Sequence, residues 1–121
     1  MTHNIVISDK LYEAAKLLKR PGGWTKRCLA KNKKGDPVSV TDPEATCFCA
    51  LGAIYRVCNI DIGQTITLKE VEALELIFDY THYVIKDSES IIKWNDKLFR
   101  TQSDVVRALT TMADIAKKNG H

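Results

Sequence analysis

Cys47-Phe48-Cys49-Ala50-Leu51-Gly52-Ala53-Ile54-Tyr55 is the longest apolar run in this chain, and its folding decides the rest. Just ahead of it, Thr41-Asp42-Pro43-Glu44 carries the strongest helix-start signal in the sequence. Asp42 can cap with Pro43 at the first helical position, or Thr41 and Glu44 can form a capping box. The two together predict one helix from about Pro43 to Val57, stopped by Asn59. It is apolar on nearly all sides, as a helix at the centre of a fold is. At about 3.6 residues per turn, Ala45, Cys49, Gly52, Ala53 and Arg56 share one side, and Phe48, Leu51 and Tyr55 another. The first side has little bulk, so a large group can lie against the backbone at Gly52. The indoles of Trp24 and Trp94 are the expected occupants, each needing an acceptor for its ring N–H.

Upstream, Ser8 is a suitable N-cap for a helix reaching about Lys19, with Leu11, Ala14, Ala15 and Leu18 on one face. Pro21-Gly22-Gly23 ends it. Trp24 to Val40 reads as two short strands around Asn32-Lys33-Lys34-Gly35-Asp36, with Gly35 free to take positive φ and Pro37 at a strand start or edge. Downstream, Thr67-Leu68-Lys69-Glu70 is a capping box that opens a helix to Asp79 or beyond, with Leu68, Val71, Leu74, Ile77 and Phe78 turned inward. Asp87 or Ser88 caps a short helix through Ile91, Ile92 and Trp94. Thr101-Gln102-Ser103-Asp104 opens the last helix, whose apolar face is Val105, Val106, Leu109, Met112, Ala113 and Ala116. The expected fold is a single small domain over residues 1–121, mainly α (α+β at the margin). About five helices pack around the central apolar one, with one β-hairpin after helix 1.

Composition narrows the function classes. No run approaches the length of a bilayer span, and the N-terminus lacks the build of a signal peptide, so a cytoplasmic, non-membrane protein is expected. Cys28, Cys47, Cys49 and Cys58 offer one CxC and two isolated cysteines, with His3, His82 and His121 elsewhere. Structural zinc sites use paired hooks, so neither metal nor cofactor is expected. The net charge is only +3, yet Lys16 to Lys34 holds eight basic residues and no acidic one. Asp61 to Glu89 holds seven acidic residues against Lys69 and Lys86. Such asymmetry suits an anion-facing surface or a self-complementary dimer.

Trp94-Asn95-Asp96 falls where a short helix gives way to a loop. Asn tolerates the left-handed turn that ends helices, and Asp can bond backbone amides, so a structural role accounts for all three residues. A functional role would set Asp96 near Cys49 or Arg56. The order of Gly23-Trp24-Thr25-Lys26, Gly35-Asp36-Pro37, Asp42-Pro43-x-Ala45, Cys49-Ala50-Leu51-Gly52-Ala53, Trp94-Asn95-Asp96 and Arg100-Thr101 resembles a family of small bacterial and phage-encoded domains of unknown function. The resemblance runs over roughly residues 10 to 116. It implies a shared fold and a bacterial or phage setting, and it implies no reaction. Cys47, Cys58 and the basic character lie outside the family's pattern.

A cysteine-dependent hydrolase or transferase would use Cys49 as nucleophile, His82 as base and Asp96 to orient it. Against that, Cys49 lies about two turns into the predicted helix, beyond reach of its dipole, in apolar surroundings that hold a thiol protonated. The favoured reading is a non-enzymatic binding protein that occupies a partner surface, of a host or defence protein or of a second copy. Its contact face is the basic segment with Lys26, Arg27, Lys31, Lys33 and Lys34. Nucleic acid is the weaker partner, because only Trp24 interleaves those cations with an aromatic ring. A pocket for a small anion, lined by Arg56, Trp24 and Trp94 beside Asn95 and Asp96, is a third arrangement.

Overall fold

The apolar run from Cys47 to Tyr55 is divided between a strand and a helix. The structure, a computed structural model, describes residues 5–86 and 90–121. Ala45–Phe48 is an extended strand and the helix begins only at Ala50. Asp42 does accept the Glu44 amide (2.8 Å), but the bond closes an isolated turn. Thr41 turns its hydroxyl to Asp61 (3.1 Å) instead of capping, so the expected box with Glu44 does not form. Thr46 and Phe48 favour a pleated surface, and Ala45 and Phe48 can both face inward because the pairing is irregular: Asn32 meets Ala45 and Lys31 meets Cys47, which leaves Thr46 as the extra, outward residue.

The chain runs α1 (Ile7–Lys19), β1 (Ala30–Asn32), β2 (Ala45–Phe48), α2 (Ala50–Val57), α3 (Leu68–Ile85), α4 (Ile91–Asp96) and α5 (Gln102–Lys118). It is a mainly α fold with a two-stranded antiparallel hairpin after the first helix. The predicted turn is present: the Asn32 side-chain oxygen accepts from the amides of Lys34 and Asp36 (3.0 Å each), and Gly35 has φ +85°. It brings Val38 back beside Ala30 (3.1 Å), but β1 takes β2 as its sheet partner rather than the residues up to Val40.

Around α2, α1 and α5 form the most extensive helix pair, with α3 on α5 and α4 against α2. Leu11, Leu18, Phe48, Ile54, Ile77, Leu109 and Met112 are the large, fully buried side chains of the core. Both capping boxes, Thr67 with Glu70 and Thr101 with Asp104, form as the sequence predicts. The Thr101 backbone amide holds the Asp104 carboxyl below its ordinary value. Ser8 is not a cap. It is buried one residue into α1, and its amide donates to the His121 carbonyl (3.2 Å), where the first helix meets the end of the last. Leu68 is exposed rather than inward, because α3 buries Ala73, Leu74, Ile77, Tyr80 and Thr81. Ser90 caps α4 through the Lys93 amide (3.3 Å); the expected caps Asp87 and Ser88 lie outside the described residues. Among the described residues no helix is long and apolar enough to cross a membrane.

Candidate functional site

Asn95 joins three segments that are far apart in sequence. Its side-chain oxygen accepts the indole N–H of Trp24 (2.8 Å) and the backbone amide of Ala50 (3.0 Å). Its amide nitrogen donates to the Thr25 carbonyl (3.1 Å) and to Asp96 (3.0 Å). The residue is fully buried and all its bonding capacity is used, so it acts as a polar weld. It sits within α4, not in a left-handed turn; that conformation falls to Phe99, at φ +69°. Asp96 also accepts the Arg27 amide (3.0 Å), which holds Arg27 at φ +72°. Trp24 is thus tied to α4 at the residue after Trp94, and neither indole occupies the space at Gly52.

The group against Gly52 is the Leu29 carbonyl. A β-carbon at residue 52 would sit 1.9 Å from that oxygen. The same oxygen accepts the Cys49 amide (3.2 Å), which anchors the start of α2 to the segment leading into β1. Cys49 is the N-cap of α2, and its Sγ accepts the Gly52 amide (3.3 Å). The expectation that it lies two turns inside the helix fails because β2 takes the preceding residues. Burial nonetheless pushes the thiol up to about 11, against the pull of the Gly52 amide.

Cys49 and Asp96 line one cleft of about 450 Å³. Leu29, Leu51, Tyr55, Ile62 and Ile92 supply apolar walls, and Arg27 and Cys28 complete the lining. His82 does not join them; it is exposed in the last turns of α3. With its thiol protonated, Cys49 should alkylate with iodoacetamide about a hundredfold more slowly at neutral pH than an unhindered thiol. Peptide mass mapping measures this, and rapid modification would return Cys49 to the role of nucleophile. The folded thiol stays protonated above the ordinary thiol range, so its stabilising contribution is complete below about pH 9 and lost as pH rises toward 11.

Arg56 is committed elsewhere. One guanidinium nitrogen donates to the carbonyls of Val40 and Asp42 (2.8 Å each), tying down the loop between the strands. It does not close an anion pocket with Trp24 and Trp94. Trp94 is buried beneath the Arg100 guanidinium, 4.1 Å from the ring centroid. Lys26 lies over Trp24 and donates to the Lys97 carbonyl (2.7 Å). Arg27, Lys33 and Lys34 are exposed, and Lys31 is half-buried in β1. Among the described residues no three of His, Cys, Asp and Glu gather to hold a metal ion.

Just beyond Asp96, which lines the cleft, the chain carries a feature the sequence reading passed over. Leu98 and Phe99 are 80% and 86% exposed on the loop after α4. The Arg100 amide bonds the Lys97 carbonyl (3.0 Å) and the Arg100 Nε bonds the Trp94 carbonyl (3.0 Å), so the loop is held at both ends. Ile62 and Ile92 add exposed aliphatic surface within the cleft. An apolar pair one residue beyond the Trp-Asn-Asp stop was the available signal, since a loop with no partner seldom needs one. No curated protein and no solved structure matches the chain. The weld, the Leu29–Gly52 contact, the cleft and the Leu98-Phe99 loop all fall within residues 3–115, which match the model of a family of unknown function (DUF6197), and the chain belongs to that family.

Proposed function

We propose that this is a non-enzymatic binding protein that grips a partner protein through the Leu98-Phe99 loop and the adjoining cleft. One observation carries the reading: two neighbouring apolar side chains are displayed to solvent on a clamped loop whose aromatic residue has left-handed backbone. That conformation costs about 1–2 kcal/mol for a residue with a side chain, and display of both groups returns nothing to the folded monomer. Strain combined with exposure is what a preorganised anchor requires. The polar residues of the constellation, by contrast, are consumed in holding the framework. The setting that fits is the cytoplasm of a bacterium, or of a host cell where the chain is phage-encoded. The four free thiols remain reduced in such a compartment.

A photo-crosslinking phenylalanine analogue placed at position 99 in the native cell tests the reading. A discrete protein adduct is expected there, and none from the same probe at Glu75, on the exposed face of α3. Equal labelling at both positions, or no adduct, would overturn it. The companion variant Phe99→Gly should lose the partner while its unfolding midpoint stays level or rises, because glycine relieves the backbone strain.

A further inference from the structure

Arg27 lines the cleft, and the basic segment it belongs to has no carboxylate ion-pair partner among the described residues. Among the described residues the one ion pair is Lys10–Glu13 on α1, so Lys26, Arg27, Lys31, Lys33 and Lys34 lie within salt-bridge distance of none. Asp36 lies at the end of that segment, and Asp96 lines the cleft. Asp96 already accepts the Arg27 amide and the Asn95 side chain. Burial raises the Cys28 thiol and Lys31 opposes that rise, which sets Lys31 close to the wall that Cys28 forms. The walls themselves, with Leu51, Tyr55, Ile62 and Ile92, suit hydrocarbon, and the volume is that of pockets enclosing a small molecule or a few side chains.

Resting on the binding function proposed above, we infer that the cleft takes an apolar side chain from an acidic segment of the partner, with Arg27 and Lys31 meeting the flanking carboxylates. Apolar walls supply the anchor and the uncompensated cations supply orientation and encounter rate. A second copy docked with this same face would bring the same cations, with Arg100, against it, and is the poorer occupant. Single-stranded nucleic acid would gain Phe99 as a stacking surface and the cations for its phosphates. It has no use for the aliphatic walls or for the displayed Leu98, so the protein segment is favoured.

A displayed library of random peptides, sorted on the purified protein, tests the inference. Selected peptides should carry Asp or Glu flanking a Leu, Ile or aromatic residue, and their enrichment should fall at least about tenfold on an Arg27→Glu, Lys31→Glu variant. If charge reversal unfolds the chain, Arg27→Gln with Lys31→Gln removes the charges alone and gives the same readout. Selected peptides without acidic residues, or enrichment indifferent to both variants, would overturn the inference while leaving the binding function standing. Failure to select any peptide overturns the cleft as a peptide site, and the adduct at position 99 then decides the wider reading separately. Tighter binding of a mixed-sequence single-stranded oligonucleotide than of any selected peptide also overturns it.

Discussion

Gly52→Ala should leave the chain largely unfolded, and Gly52→Leu entirely so. The added β-carbon would stand 1.9 Å from the Leu29 carbonyl oxygen and 2.7 Å from its carbon. Those are backbone atoms, and the oxygen is already fixed by the Cys49 amide. A flexible side chain could swing away; this backbone segment cannot move without breaking its bond to the start of α2. Overpacking usually costs about 1–3 kcal/mol, and a backbone collision at a junction exceeds that. A domain of this size has only about 5–15 kcal/mol in hand. Circular dichroism during urea unfolding measures the outcome. A Gly52→Ala protein with a native midpoint would show that the two backbones do not meet there.

Asn95→Leu should remove a large part of the stability while keeping the branched shape of the side chain. The Trp24 ring N–H, the Ala50 amide and the Thr25 carbonyl would each lose a partner. At about 1–3 kcal/mol for a buried group left unsatisfied, with the Trp24 segment half-open to water, the loss is roughly 3–5 kcal/mol. Asn95→Asp discriminates weld from simple packing. It keeps the acceptor but loses the donor, and it buries a second carboxylate beside Asp96. Burial and that neighbour raise the folded pKa of the new carboxyl, so its protonated form is the one the fold tolerates. Its deficit relative to the native protein should therefore shrink as pH falls from about 7 toward 4. A deficit independent of pH would mean that the bonds of Asn95 carry little of the energy.

The fold was legible where a single local rule governs. The two capping boxes, the Gly35 turn and the inward faces of α1 and α5 all follow from spacing alone. The strand at Ala45–Phe48 was not, because Asp42-Pro43-Glu44 is an equally good start for a turn or a helix. Pairing with β1 decides between them, and that pairing is long-range. The candidate site was legible in its membership and not in its wiring. Trp24, Cys49, Asn95 and Asp96 do gather, and a small residue at 52 does mark a close approach. That a main-chain carbonyl fills the gap at Gly52 has no signature in a sequence, since every residue carries one. Arg56 reads as a ligand for anions, yet it serves two carbonyls of its own chain, which composition cannot distinguish.

The pairing of α1 with α5, and of Trp24 with a residue 71 positions downstream, also sets an order of assembly. A chain emerging from the ribosome presents α1 and the basic segment first, yet the surfaces that cover them are made last. Until α4 and α5 are available, the face of α1 that meets α5 and the Trp24 indole N–H lack their partners. Synthesis and assembly thus run in opposite directions, and the slow event is closure of the largest loop in the molecule. The nascent first half is, for that interval, a cationic chain with bare apolar faces, dependent on its own far end for protection from aggregation.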